Sequence, residues 1–135
     1  MATSQRPPPQ WTSRTRPPRD RRATRSGGFD VVYYQYALHS LRDPAASLRA
    51  SWDALEPGGS LLVLDWTLPT DQDELHAIQG ELTAGVHLDE VFMCAGLRDV
   101  AAFKAWFAEA GTPPPDVIEL PSGATLFALQ RALTA

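Results

Sequence analysis

Residues 29–66, FDVVYYQYALHSLRDPAASLRASWDALEPGGSLLVLDW, decide the fold of this chain. The first of them, 29–36, concentrate Val and Tyr in a short run after a Gly pair, which predicts a strand. Residues 61–64 are four consecutive apolar residues, so this second strand is predicted to be buried on both faces, as in a parallel sheet covered by helices. A helix between the two strands would complete a βαβ unit.

Both ends of that helix carry sequence signals. Asp43 is placed as the N-cap and Pro44 as the first helical residue, where a missing amide proton costs nothing. Apolar residues then recur at helical spacing, at Leu48, Trp52 and Leu55. Residues 56–59, Glu-Pro-Gly-Gly, are predicted to end the helix and to turn the chain back into the sheet.

The pattern after residue 66 predicts further helices. Thr70 is placed to cap a helix with an acidic first turn. This helix has an apolar stripe at Leu75, Ile78 and Leu82. A second, short helical piece is predicted over residues 88–94.

The last forty residues predict a helix and then a hairpin. Asp99 is placed as the cap of the helix, and Gly111 ends it. Residues 116–120 and 124–130 are predicted to be strands, and the short link at 121–123 makes them antiparallel.

This order of motifs resembles the class I S-adenosylmethionine-dependent methyltransferases. The matching segments are FDVV at 29–32, LHSLRDP at 38–44 and LEPGGSLLVLD at 55–65, in the order of that family's fourth strand, following helix and fifth strand. FKAWFAEAG at 103–111 resembles the helix before the family's last two strands. The resemblance covers about residues 29–131. It implies an α/β fold, a partial Rossmann-like sheet with strands equivalent to 4-5-7-6, the last one antiparallel, and flanking helices.

The half of that family's fold which binds the cofactor has no counterpart in the sequence. No G-x-G occurs in the chain, and its two Gly pairs do not open a strand-loop-helix cradle. The resemblance implies that the missing first three strands carry the glycine loop and the acidic residue that holds the cofactor ribose. We therefore expect this chain alone to bind S-adenosylmethionine weakly or not at all.

Residues 1–28 differ sharply in composition from the rest. They hold seven Arg and a single acid, Asp20, so their net charge of +6 leaves −10 for the remainder of a chain that totals −4. Such a stretch buries too little apolar surface to offset its ordering entropy, so we predict a disordered tail before a domain over 29–135. Several hypotheses stay open: a basic arm that binds nucleic acid or an anionic surface, an organelle transit peptide, a solvated tail without function, or an accident of translation such as a frame disruption or a misplaced start. The abrupt change in composition favours the last.

The chain is predicted to be soluble and cytoplasmic. No run approaches the roughly 18 apolar residues of a membrane helix, and no signal peptide opens the sequence. The lone Cys94 cannot form an internal disulfide, which fits a reducing compartment.

His39 is the candidate catalytic residue. It follows the first predicted strand, and it resembles the His that serves as general base in the small-molecule O-methyltransferase branch of the family. An imidazole can take a hydroxyl proton while a methyl group is transferred. The alternative is a structural His at the rim of the cleft.

Five further residues are candidates for contact with ligands. The resemblance implies that the end of the first strand faces the methionine portion of the cofactor, which assigns Tyr34, Gln35 and Tyr36 to cofactor binding; ordinary strand packing is the alternative. Asp65 and Trp66 end the next strand on the same side of the sheet and are assigned to the floor of the substrate site. The alternative is that Asp65 caps a loop and that Trp66 belongs to the core.

The resemblance implies a lid over the substrate in the region between the family's fifth strand and later helix, which makes Met93 one more substrate candidate; core packing is the alternative. His76, His87, Asp89 and Glu90 are ligand types for a metal, but no H-x-x-x-H or comparable spacing links them. They are interpreted as solvated helix side chains, and no metal site is predicted.

The function that the resemblance implies is methyl transfer from S-adenosylmethionine to a small-molecule acceptor, by a truncated enzyme that is weak or inactive alone. One alternative is a non-catalytic remnant or a partner subunit, which would self-associate or pair with another chain through an open strand edge near Val31. A nucleic-acid-binding protein with a basic arm is the remaining alternative, and binding to nucleic acid is the least favoured.

Overall fold

The computed structural model describes residues 28–71, 73, 78–93 and 95–133. The strands are β1 (Phe29–Gln35), β2 (Leu55–Trp66), β3 (Asp116–Glu119) and β4 (Ala124–Gln130). The helices are α1 (Pro44–Asp53), α2 (Ile78–Phe92) and α3 (Val100–Glu109), with a 3-10 turn at Leu38–Ser40. Except for Gly28, the predicted tail lies outside the described residues.

The described strands form one mixed sheet in the order β1-β2-β4-β3. β1 and β2 are parallel, and β4 is antiparallel to both β2 and β3. The predicted sheet, with strands equivalent to 4-5-7-6 and an antiparallel last strand, is confirmed. In this register Gln35 pairs with Leu64, so β1 and β2 end side by side.

β2 begins earlier than the sequence predicted. Residues 56–59 lie inside this strand instead of forming a separate turn before it, and the register with β1 jumps from Phe29↔Leu55 to Val31↔Ser60. The extra residues form a bulge that needs both glycines. Gly58 has a φ of +81°, and a Cβ on Gly59 would lie 3.0 Å from the Phe29 carbonyl oxygen.

One face of the sheet is covered by α1 and α3. Both helices begin at the predicted caps, since Asp43 accepts a hydrogen bond from the Ala46 amide at 2.9 Å and Asp99 accepts one from Ala102 at 2.8 Å. The buried side chains between helices and sheet form a single cluster: Leu38, Leu48, Leu55, Leu61, Val63, Phe103, Phe107, Ala110, Phe127 and Leu129. This cluster is the hydrophobic core of the described residues.

α2 runs without a break over Ile78–Phe92 and so joins parts of the two pieces that the sequence predicted. Residues 88–92 of the predicted second piece are its last turn, whereas Leu75 and Cys94 lie outside the described residues. Its outward side chains, and the Met that follows it, are largely exposed: Leu82, Leu88, Val91, Phe92 and Met93. Among the described residues, no helix is long and apolar enough to cross a membrane.

Candidate active site

The candidate site is built where the parallel strands β1 and β2 end. After Gln35 the chain turns sharply, because Tyr36 adopts a φ of +50° and donates its amide to the Leu64 carbonyl at 2.8 Å. The 3-10 turn that follows brings His39 back over the end of β2, next to Asp65. Carboxyl ends of parallel strands are the usual place for a ligand site in such sheets.

His39 and Asp65 form a buried pair. The ring Nδ1 lies 2.7 Å from Asp65 Oδ1, and the His39 backbone amide donates to Oδ2 at a longer 3.4 Å. The Trp66 amide also donates to Asp65 Oδ1, at 2.9 Å. A carboxylate at Nδ1 holds a proton on that nitrogen, so the neutral imidazole keeps its lone pair at Nε2. This pairing gives Nε2 the form that a general base needs.

Burial sets the electrostatics of the pair. Desolvation raises the pKa of the Asp65 carboxyl above its ordinary value, and the charge and hydrogen bonds of His39 partly offset this rise. The carboxylate therefore depends on His39 and on the two backbone amides for its stabilisation. Removal of the imidazole would leave a buried acid with less compensation.

A second acid, Glu90 of α2, lies on the other side of the imidazole. Its Oε2 is 3.1 Å from His39 Nε2, but no hydrogen bond joins them, and the contact is an ion pair only if the imidazole is protonated. The His39 side chain is only 2% exposed, whereas that of Glu90 is 29% exposed. Asp65 and Glu90 thus approach opposite nitrogens and do not converge on one point. Within the described residues, no group of three or more His, Cys, Asp or Glu side chains could hold a metal ion.

The three residues assigned to the cofactor have different surroundings. The Tyr34 hydroxyl is 2.6 Å from Ser51 Oγ and 3.3 Å from the Ser47 carbonyl, so it is engaged with α1. Gln35 is exposed at the end of β1. Tyr36 stacks on Trp66, with ring centroids 5.5 Å apart and an interplanar angle of 15°. Tyr34 therefore packs inside the fold, and Gln35 and Tyr36 remain at the strand end.

The three residues assigned to the substrate are also separated by the structure. Asp65 belongs to the His39 pair, and Trp66 is half-buried against Tyr36. Met93 follows α2 and is 75% exposed. The strand-end residues were predicted from the sequence, but the pairing of Asp65 with His39 was not. Glu90, predicted to be a solvated side chain, lies beside the imidazole.

The larger cavity lies away from the His39 pair. It has a volume of about 690 Å³ and lies between the exit of β2, the start of α3 and the β3–β4 hairpin, with Thr67, Thr83 and Lys104 among its lining residues. A smaller cavity of about 420 Å³ lies between β1 and α1. Neither is lined by His39, Gln35 or Tyr36. We assign the chemistry to the pair because it combines burial with a short hydrogen bond, which a cavity alone does not supply.

The described residues do not fit S-adenosylmethionine by themselves. The Tyr34 hydroxyl is already bonded to α1, and Gln35 and Tyr36 line neither cavity. The sequence contains no G-x-G motif of the kind that lets a cofactor lie close to the backbone.

Comparison with known proteins finds solved structures only. No family model and no curated protein matches the chain. Mitomycin 7-O-methyltransferase MmcR is similar at 24% identity and a TM-score of 0.63, over 81% of this chain and 31% of that protein. An O-methyltransferase family protein from Burkholderia thailandensis is 24% identical with a TM-score of 0.58, over 81% of this chain and 32% of that protein. The S-adenosylmethionine-dependent methyltransferase SibL is 23% identical with a TM-score of 0.59, over 82% of this chain and 33% of that protein.

The chain spans about a third of the length of these proteins. At this level of identity the likeness establishes the fold. It agrees with the motif order, the strand order and the caps of α1 and α3. The described residues therefore have the fold of the C-terminal part of a class I S-adenosylmethionine-dependent methyltransferase.

Proposed function

We propose that this chain is the acceptor side of an S-adenosylmethionine-dependent O-methyltransferase that acts on a small hydroxyl compound, with His39 as general base. The observation that carries the proposal is the buried His39–Asp65 pair, 2.7 Å apart, at the adjacent ends of two parallel strands. Structural neighbours whose names describe them as O-methyltransferases support the same reaction class.

In this proposal His39 Nε2 accepts the proton of the acceptor hydroxyl. Asp65 keeps the ring in the orientation and tautomer that leave Nε2 free of a proton, and it stabilises the imidazolium that forms. The same carboxylate is held by the Trp66 amide, which limits its rotation. S-adenosylmethionine would supply the methyl group, and a further polypeptide would have to hold it.

The first test is a calorimetric titration of the full chain with S-adenosylmethionine. We expect no saturable binding, because the Tyr34 hydroxyl is bonded to α1 and the sequence contains no G-x-G motif. Saturable binding by a cooperatively melting chain would contradict this expectation and would permit a direct screen of hydroxyl acceptors.

The second test measures transfer in a chimera, in which residues 28–133 replace the corresponding third of mitomycin 7-O-methyltransferase MmcR. We expect His39→Ala to lower the rate of methyl transfer by about 10²–10⁴-fold, the usual contribution of a positioned base. Ser40→Ala is the matched control, since Ser40 is exposed beside His39 and its hydroxyl donates to the Ala37 carbonyl. A chimera that folds, binds cofactor and transfers methyl at the same rate without His39 would contradict the assignment of the base.

A partner subunit is the second candidate function, and the edge of the sheet favours it. β1 has no strand on its outer side among the described residues, and Phe29, Val31 and Tyr33 are exposed there. An unprotected edge of this kind is open to pairing with another chain. Light scattering of the full chain and of Val31→Lys tests this function. If the wild-type chain associates and Val31→Lys does not, the result supports a partner-subunit function. If the wild-type chain is a monomer and pairs with no other chain, the result contradicts it.

A further inference from the structure

The larger cavity, of about 690 Å³, takes no part in the proton transfer proposed above, because neither His39 nor Asp65 lines it. Its volume falls in the range of small-molecule sites, about 300–1,000 Å³. Part of its wall is apolar: Leu68, Pro69, Val100, Leu120, Pro121 and Ala124. Such a wall can bury the apolar part of a small ligand.

Two threonine hydroxyls supply polar atoms to the same cavity. Thr67 Oγ1 lies 2.7 Å from Thr125 Oγ1, and Thr125 is only 2% exposed. Each hydroxyl carries one proton, so the bond between them uses one of the two. Among the described residues, no acceptor takes the second proton. An acceptor atom of a ligand would satisfy it, which favours a carboxylate oxygen at this point.

The cavity is also lined by one cation and one anion. Lys104 of α3, the only lysine of the sequence, and Glu119 of β3 both belong to its wall. No ion pair joins them, and neither has another ion pair among the described residues. Glu119 lies opposite Thr125 in the register of β3 and β4, so the acid and the hydroxyl pair are neighbours.

This combination of groups selects the charge of a ligand. A simple carboxylic acid would be attracted by Lys104 and repelled by Glu119, and a simple amine would meet the reverse. A zwitterion can use both groups, because its carboxylate accepts from Lys104 and from the unused hydroxyl proton while its ammonium donates to Glu119.

We propose that this cavity binds an α-amino acid with an apolar side chain, with Lys104 at its carboxylate and Glu119 at its ammonium group. The apolar side chain of the ligand packs on the apolar wall. The site is separate from the proposed function, and it can be tested whether or not methyl transfer is ever observed.

The experiment uses Lys104 as its own reporter in the full chain. Reductive methylation with ¹³C-formaldehyde labels this lysine and the amino terminus while keeping their charge, so the Lys104 signal can be followed by NMR. The probe is L-phenylalanine. Its two matched analogues are 3-phenylpropionate, which lacks the ammonium group, and 2-phenylethylamine, which lacks the carboxylate. We expect a saturable shift of the Lys104 signal with L-phenylalanine and affinities about fivefold lower for each analogue, the loss of one exposed ion pair.

Glu119→Gln tests the ammonium contact. We expect it to lower the affinity for L-phenylalanine by about fivefold, to the level of 3-phenylpropionate. Asp116→Asn is the matched control, since it removes the same charge from an exposed residue of β3 that does not line the cavity, and it should bind as the wild type does.

The results expected above, with no comparable shift of the amino-terminal signal, support the site. Absence of a saturable Lys104 shift with L-phenylalanine overturns the proposal. Equal affinities for the three compounds overturn it as well, and so does a loss of affinity in Asp116→Asn that matches the loss in Glu119→Gln.

Discussion

The covered face of the sheet buries its large apolar side chains, whereas the helix α2 exposes several of its own. Under α3, Phe103 stacks on Phe127 with ring centroids 4.8 Å apart, and both side chains are fully buried. On α2, Leu82, Leu88 and Phe92 are exposed, Phe92 to 78%. Both α2 and α3 are helices, so helix formation does not by itself show which of them stabilises the fold. The burial of large side chains against the sheet shows that it is α3.

This difference matters for the site because His39 lies between the two regions. On one side it bonds Asp65, whose strand is central to the core. On the other side it meets Glu90, whose helix adds nothing to the buried cluster of the described residues. The hydrogen bond to Asp65 orients the imidazole.

The largest expected effect separates the two regions by stability. Phe127→Ala should lower the free energy of unfolding by about 3–5 kcal/mol, since it leaves a cavity beside Phe103 and Phe107. Phe92→Ala should change it by less than about 0.5 kcal/mol, because that ring is exposed. Urea unfolding of the full chain, followed by far-ultraviolet circular dichroism, measures both.

Phe127→Leu serves as a milder step if the Ala variant is already unfolded. Equal losses from the Phe92 and Phe127 substitutions would contradict the comparison and would mean that α2 belongs to the core.

A smaller effect is expected at the start of α3. Asp99→Ala should cost about 1 kcal/mol in unfolding free energy, because the side chain no longer accepts the Ala102 amide. Asp99→Asn keeps an accepting oxygen and should stay within a few tenths of wild type. Thermal melts of the three proteins provide the measurement, and a loss of the same size in both variants would show that charge, and not the cap, is what matters.

The smallest effect concerns Asp65 and appears as a dependence on pH. Because burial raises the pKa of this carboxyl, the folded state binds its proton more readily than the unfolded state does. Its contribution to stability is therefore full at low pH and is lost as pH rises through the folded pKa. We expect the stability of wild type relative to Asp65→Asn to fall as the pH rises above about 4, near the ordinary pKa of Asp.

Urea unfolding of both proteins at several pH values measures this difference. A relative stability that instead rises with pH would mean that the His39 pairing outweighs desolvation and lowers the pKa of Asp65.

Short-range signals in the sequence predicted several features of the fold. The caps at Asp43 and Asp99 each bond an amide three residues ahead, so local spacing is sufficient to find them. The bulge at residues 56–59 was missed as part of a strand, because it depends on the Phe29 carbonyl that approaches Gly59 from another strand. The same residues can form a turn or a bulge, and the sequence does not distinguish the two until the neighbouring strand is known.

The candidate site was found only in part. His39, Tyr36, Asp65 and Trp66 could be placed at one edge of the sheet because two parallel strands end together there. Their partnerships could not be predicted, since the sheet position of Asp65 does not show whether it turns to solvent or to His39. The partner of the Tyr34 hydroxyl could not be predicted either, because it lies on α1 and is known only from the structure.

The sequence by itself determined the βαβ unit, the two capped helices around the core, the closing hairpin and the strand-end location of His39. Each depends on residues close together in the chain or on an ordered series of motifs. Only the tertiary structure decided that His39 pairs with Asp65, 26 residues away, and that α2 carries Glu90 to the opposite nitrogen. Those contacts depend on how separate elements are positioned in space, and no local periodicity encodes that arrangement.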